Sequence, residues 1–203
     1  MDAKSLATGV QTSTMTAGTS DGRRRLMRAG LAAAPVLMAL KSRSVLAADI
    51  CIKASAFASL QANTTVSHAV ETFTCFSHGY WKNQPFPAPY GNKATSYFLG
   101  VPRGASGSVS AGFSGNPGGT FSGKTLQQIL ELSGGSFNEL ARNTVATFLT
   151  AVQYGDNPQT VLLTQAQCRT LWMSLAGGGT WSPFTGANWD LTETLAYFKY
   201  IYG

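Results

Sequence analysis

Three helix-start signals between residues 136 and 193 constrain the fold of this chain more than any other feature. Ser136-Phe137-Asn138-Glu139 and Thr164-Gln165-Ala166-Gln167 have the capping-box pattern, in which a hydroxyl oxygen accepts from a free amide and a later side chain reaches back. Asp190-Leu191-Thr192-Glu193 is a third start signal. Gly155 and Gly177-Gly178-Gly179 can end the first two helices. In each of the three helices, the residues that recur at helical spacing are expected to face a core. They are Phe137, Leu140, Ala141, Thr144, Val145, Phe148, Leu149 and Val152 in the first helix, Cys168, Leu171, Trp172 and Leu175 in the second, and Leu195, Phe198 and Tyr202 in the third.

A fourth, shorter helix is predicted from Thr125 to Leu132. Four helices with short connections favour a small helical bundle, so we predict a mainly α fold with its helices in residues 124–203. Residues 49–123 lack such periodicity and are predicted to be mostly irregular. Together, residues 49–203 are long enough for one domain with a core of its own.

The segment from residue 100 to 123 is the least regular part, with eight glycines and five serines. Two interpretations stay open. The segment is a flexible loop, or Asn116-Pro117-Gly118-Gly119 is a turn between short extended arms around Phe113 and Phe121. The second interpretation adds a short β-hairpin to the helical bundle.

Residues 1–48 have the order of a cleaved export signal. Arg23-Arg24-Arg25-Leu26-Met27-Arg28 precedes the apolar run 29–40, and small residues then lead to a cleavage site at Ala47 or Ala48. The run is only about 12 residues long and contains Pro35, whereas a membrane span needs roughly 20. We therefore predict a leader that the export machinery recognises, no stable membrane span, and a protein in the periplasm, at the cell surface or outside the cell.

The export route has two interpretations. Arg23, Arg24, Leu26 and Met27 resemble the twin-arginine export motif, which implies that the domain crosses the membrane already folded. Alternatively, the arginines are the positive end of an ordinary secretory signal.

The leader also accounts for the basic composition of the chain. It holds seven of the fifteen Lys and Arg residues and two acidic residues, whereas residues 49–203 hold eight basic and seven acidic residues. Because the remaining chain is nearly neutral, we exclude nucleic acid as its partner. A weakly charged surface rich in amides and hydroxyls favours close packing against like molecules.

Gly79-Tyr80-Trp81-Lys82-Asn83-Gln84-Pro85 is the most specific string after the leader. It resembles the Gly-Tyr-Trp-Lys-Asn-His-Pro signature of a poorly characterised group of exported bacterial proteins. The resemblance covers roughly Cys75 to Tyr154 and departs at Gln84, where the group usually has histidine. It implies an exported domain and carries no known chemistry.

Three roles for this motif are open. The first is an aromatic plug that fastens the irregular half to the bundle, since Tyr80 and Trp81 bury large rings while their polar tips find partners. The second is a subunit contact, and the third is ligand recognition by Tyr80, Trp81 and Asn83. The candidate contact residues are Gly79, Tyr80, Trp81, Lys82, Asn83 and Pro85.

Cys51 and Cys75 flank a segment that needs constraint, so we predict a disulfide between them. Cys168 lies on an apolar helix face and is either a buried free thiol or a link between subunits. A metal site could use Cys51, Cys75, His68 and His78, but their spacing is not a recognised ligand pattern. We therefore predict no metal and no cofactor.

No catalytic grouping stands out, because residues 49–203 contain no G-x-S-x-G nucleophile elbow and no HExxH zinc-protease helix. The sequence favours an exported structural or interaction protein, with self-association as one form of that interaction. One alternative is a glycan- or peptide-binding module that uses Tyr80 and Trp81. A second alternative is a metal-dependent or redox enzyme.

Overall fold

The computed structural model describes residues 49–62 and 72–203. The predicted leader, with Arg23, Arg24, Leu26, Met27 and the cleavage site at Ala47 or Ala48, lies outside the described residues. His68 lies outside them as well.

The described residues form a mainly helical fold with two small sheets. In chain order the elements are β1 (Asp49–Ile52), α1 (Ala54–Gln61), β2 (Thr72–Cys75), α2 (His78–Asn83), β3 (Ser96–Tyr97), β4 (Val109–Ser110), a 3₁₀ turn (Pro117–Gly119), α3 (Leu126–Leu130), α4 (Ser136–Tyr154), α5 (Gln165–Ala176) and α6 (Leu191–Tyr202). The predicted helical fold class is therefore confirmed.

Helix α4 is the centre of the fold. Every residue from 143 to 151 is buried, so this helix is covered on all sides rather than along one stripe. Helices α2, α3, α5 and α6 all pack against it. Three threonines, Thr144, Thr147 and Thr150, lie in this buried stretch. Thr147 and Thr150 donate their hydroxyl protons to the carbonyl oxygens of Asn143 and Ala146, both at 2.8 Å.

Two of the three predicted start signals form as expected. The capping boxes Thr164/Gln167 and Asp190/Glu193 have both reciprocal hydrogen bonds, and Thr125/Gln128 forms another at the start of α3. Helices α4 and α5 end at Gly155 and Gly177, also as predicted.

The predicted capping box at Ser136 is wrong. Ser136 is already the first helical residue of α4, and the N-cap is Gly135, which has no side chain to accept a hydrogen bond. Gly134 and Gly135 both adopt positive φ angles, and the helix begins one residue earlier than the predicted capping box would place it. The backbone N–H of Glu139 instead donates to the carbonyl oxygen of Gly135 at 3.1 Å.

The prediction that residues 49–123 are mostly irregular is wrong for the described residues before Gln84, because most of them lie in helices or strands. Strands β1 and β2 pair antiparallel, with Cys51 opposite Phe73, and α1 and α2 follow them. Helix α1 is rich in alanine, which has high intrinsic helix propensity, but it is too short to show a clear periodicity. The antiparallel strand pair of the fold is thus β1 with β2.

The β-hairpin that one interpretation placed around Asn116 does not form. Pro117–Gly119 is a 3₁₀ turn, and β4 pairs in parallel with β3 instead. Phe113 and Phe121 are buried, and both rings contact the ring of Phe98 in the core. These two side chains anchor the glycine-rich segment. Helix α5 holds the segment by two long-range hydrogen bonds: Arg169 Nε donates to Ala111 O at 2.7 Å, and Trp172 Nε1 donates to Gly115 O at 3.1 Å.

The buried face of α6 is rotated from the predicted one. Phe198 is fully buried, but Leu195 and Tyr202 are only partly buried. The other buried residues are Thr194, Tyr197 and Ile201. Among the described residues, no helix has the length and apolar character that a membrane span requires.

Candidate functional site

Helix α2 carries the Gly-Tyr-Trp-Lys-Asn motif. The Ser77 hydroxyl caps it by accepting from the backbone N–H of Tyr80 at 3.4 Å, and the helix ends at Asn83. Gln84 is extended before Pro85, as a residue before proline is expected to be. Gly79 has an ordinary helical backbone, and a Cβ there would meet nothing closer than 3.6 Å. The conformational freedom of glycine is therefore not required at position 79.

Trp81 is the buried residue of α2. Its side chain is 2% exposed, and its indole Nε1 donates to Thr150 Oγ1 of α4 at 3.2 Å. This geometry fits the aromatic plug, since the ring packs in the core while the polar tip has a partner. A ligand could reach the Trp81 indole only by displacing core side chains. Of the two aromatic residues in the motif, Tyr80 is therefore the one that a ligand or partner could contact directly.

Tyr80 belongs to an exposed aromatic strip, which we define as Phe76, Tyr80 and Tyr154. The Phe76 ring stacks on Tyr80 at a centroid distance of 4.2 Å and on Tyr154 at 5.5 Å, with interplanar angles of 26° and 21°. Tyr80 is 38% exposed and Tyr154 is 45% exposed. The strip thus joins α2 to the end of α4 and presents aromatic surface to solvent.

Lys93 supplies a cation that packs on an aromatic ring beside the motif. Lys93 Nζ donates to the carbonyl oxygens of Trp81 and Lys82, at 3.2 and 2.8 Å, and lies 4.5 Å from the centroid of the Phe86 ring. It therefore satisfies free carbonyls at the end of α2. Desolvation lowers the pKa of Lys93, and Glu131 partly opposes this. No sequence pattern indicated this role.

Asn83 has a local partner. Its side-chain Nδ2 donates to the carbonyl oxygen of Gly79 at 3.2 Å, within the same helix. Asn83 and Pro85 are exposed, and Lys82 is half-buried. The polar residues of the motif therefore lie at the surface, around the buried indole of Trp81.

A disulfide joins Cys51 and Cys75, as the sequence predicted, with their Cα atoms 6.1 Å apart. Both cysteines are buried at 1% exposure. Cys51 lies opposite Phe73 in the β1–β2 pair, and Cys75 lies opposite Asp49, two residues away in the register. The Tyr197 hydroxyl donates to the carbonyl oxygen of Ile52 at 2.8 Å, which fixes this pair to α6. Because their sulfur atoms are bonded to each other, neither cysteine offers a thiolate to a metal.

Cys168 is a free thiol with no exposed surface. Burial raises the pKa of this thiol well above its ordinary value, so it stays protonated. A link between subunits through Cys168 would require α5 to leave the core. Within residues 49–62 and 72–203, no three His, Cys, Asp or Glu side chains are grouped for metal binding.

A cleft of about 440 Å³ lies between α2, α4 and α6. Its polar side chains come from all three helices, and its floor is apolar. The lining residues are His78, Glu139, Arg142, Asn143, Thr192, Leu195, Ala196, Phe198, Lys199, Tyr202 and Gly203. Of these residues, only His78 was a candidate site residue from the sequence, because the lining residues are scattered over more than a hundred positions.

His78 is the first residue of α2 and lies at the edge of this cleft. Burial is the main cause that lowers its pKa, and the cations of Arg142 and Lys82 lower it further. Glu139 and a hydrogen bond with the Asn143 side chain oppose this in part. The imidazole is therefore neutral at neutral pH.

Comparison of the chain with protein families, with curated proteins and with solved structures finds no match.

Proposed function

We propose that residues 49–203 form an exported interaction protein that acts at the cell surface or outside the cell. The leader supports export, and the buried disulfide supports an oxidising compartment, because disulfides persist there and are rare in the cytosol. Amino-terminal sequencing of the protein and a count of its free thiols test this step. A chain that retains Met1 and has three reduced cysteines would contradict it.

The observation that carries the interaction role is the aromatic strip. Tyr154 is distant in the chain from Phe76 and Tyr80, yet its ring and that of Tyr80 both stack on Phe76 at the surface. Exposed aromatic rings on a rigid scaffold are typical of contact surfaces, because they bury large areas with little loss of side-chain freedom. The low net charge of residues 49–203 would offer little repulsion between copies.

Self-association through this strip is the form of interaction that we propose. Sedimentation of the protein over a range of concentrations tests it, with Tyr80→Ser and Tyr154→Ser as variants. Tyr200→Ser is the matched control, since Tyr200 is also 38% exposed and also packs on a phenylalanine, Phe57. We expect weaker association for the first two variants only. A strict monomer at every concentration would rule out the self-association.

The second candidate is a glycan- or peptide-binding module, favoured by the exposed Tyr80 ring that Phe76 supports from one side. Binding of the protein to an insoluble cell-wall polysaccharide and to an immobilised peptide library tests it. Tyr80→Ala should abolish binding while the circular dichroism spectrum is unchanged. Trp81→Ala is unsuitable for this purpose, because the loss of a buried indole would unfold the site itself.

A further inference from the structure

The cleft between α2, α4 and α6 is independent of the aromatic strip and has a different chemical character. Side chains of both charges face it, with Glu139 and Arg142 on α4 and Lys199 on α6. Thr192 adds a hydroxyl, which both donates and accepts. Leu195 and Phe198 supply an apolar surface on the same side. Small-ligand sites commonly have this combination of an apolar wall and a few convergent polar groups.

Two side-chain nitrogens in the lining are unusual. His78 Nδ1 and Arg142 Nε are buried and form no hydrogen bond with the described residues. An unpaired buried polar atom costs on the order of 1–3 kcal/mol, so most native structures satisfy such atoms. The neutral imidazole that donates to Asn143 would present Nδ1 as an acceptor, whereas Arg142 Nε–H is a donor.

Arg142 is held in place rather than loose. Its Nη1 donates to the carbonyl oxygen of Leu132 at 2.7 Å, which leaves the other N–H groups of the guanidinium for further bonds. Asn143, which is 5% exposed, holds the imidazole from below. Tyr202 is fixed by a 2.7 Å hydrogen bond between its hydroxyl and Thr147 Oγ1. Arg142 and Tyr202 are therefore held in place at the cleft.

We propose that this cleft binds a sugar of about monosaccharide size through neighbouring hydroxyl groups. The lining offers both donors and acceptors, and a hydroxyl group is the ligand that donates and accepts at once. Adjacent hydroxyls of a sugar would bridge the Glu139 carboxylate and the Arg142 guanidinium, while the carbon face of the ring would pack on Leu195. A simple anion fits less well, because Glu139 lies beside the two cations. The volume of about 440 Å³ lies within the range that is usual for small-ligand sites.

The test is a titration of the full-length, oxidised chain with D-glucose, D-galactose and N-acetyl-D-glucosamine, followed by amide chemical shifts. We expect saturable shifts at Arg142, Asn143 and Lys199 for at least one sugar. Glu139→Gln and Lys199→Ala should each weaken that binding about tenfold, because each removes hydrogen bonds to a charged group. Glu131→Gln and Arg103→Ala are the matched controls, since both residues are exposed and outside the cleft.

Several outcomes would overturn the proposal. They are no saturable shift with any of the three sugars, shifts that persist unchanged in Glu139→Gln and Lys199→Ala, or saturation by sodium phosphate or glycine but not by a sugar. A Tyr80→Ala variant separates this site from the aromatic strip. Sugar binding that survives in Tyr80→Ala belongs to the cleft, and binding that disappears there belongs to the strip and contradicts the proposal.

Discussion

Trp81 and Thr150 are joined by a hydrogen bond of 3.2 Å between the indole Nε1 and the hydroxyl Oγ1, across the contact of α2 with α4. The same hydroxyl donates to the carbonyl oxygen of Ala146 at 2.8 Å, so Thr150 uses its hydroxyl both as donor and as acceptor. This pair connects the most specific sequence motif to the most deeply buried helix of the fold. The motif residue Trp81 therefore acts in the core, and its neighbour Tyr80 acts at the surface.

Trp81→Ala should destabilise the protein strongly. The indole is 2% exposed, and removal of a buried tryptophan costs about 3–5 kcal/mol through lost burial and the resulting cavity. Urea denaturation followed by circular dichroism measures the change. Tyr80→Ala, the control on the same helix, should cost much less because that ring is 38% exposed. Equal losses for the two variants would argue against the buried position of Trp81.

The disulfide should contribute about 3 kcal/mol to stability, since it closes a loop with a sequence separation of 24 residues. The paired change Cys51→Ala with Cys75→Ala should lower the midpoint of thermal unfolding. Reducing agent should lower it similarly in the wild type and have no further effect on the double variant. Cys168→Ala should leave the effect of the reducing agent intact, because Cys168 is a buried free thiol.

The stability should fall when the pH drops below neutrality, partly because of His78. Its pKa is lowered in the folded state from the ordinary value of 6.5, so the unfolded chain binds a proton more readily there. The His78 contribution is fully present above pH 6.5 and is lost as the pH falls through the lowered folded pKa. Unfolding free energies of wild type and His78→Gln between pH 8 and pH 4 measure this. Parallel pH profiles for the two proteins would contradict the prediction.

Gly115→Ala should destabilise the protein more than Gly104→Ala. Both glycines have positive φ angles, 98° and 83°, so both substitutions carry backbone strain. A Cβ at Gly115 would also lie 2.9 Å from the Cβ of Ala176, whereas a Cβ at Gly104 has nothing within 4 Å. The difference between the two midpoints of thermal unfolding measures the close approach of the glycine-rich segment to α5.

The helical half of the fold was predictable because its signals are local. Thr164 and Asp190 start their helices within three residues of their partners, and Gly155 and Gly177 end theirs at the expected positions. The disulfide was predictable from the positions of the cysteines together with the predicted export leader. Ser136 misled the prediction, because the backbone of Gly134 and Gly135, which precede it, decides where α4 begins.

The candidate sites were less predictable, because they depend on contacts between distant residues. The aromatic strip needs Phe76 and Tyr154 to meet, and the cleft needs His78 beside Arg142 and Lys199. No pattern in the sequence relates these positions. Lys93 is a similar case, since its carbonyl partners lie eleven and twelve residues away.

The helices of residues 124–203, the C-terminal ends of α4 and α5 and the cysteine pair could be predicted from the chain alone, because capping, spacing and glycine conformation act over a few neighbouring residues. The folded arrangement was needed to see that residues 143–151 of α4 are all buried, that Trp81 is buried while Tyr80 is exposed, and that α2, α4 and α6 line a polar cleft. The reason is physical: burial and cavity shape arise from the packing of all the elements together, and this packing is not encoded at any one position.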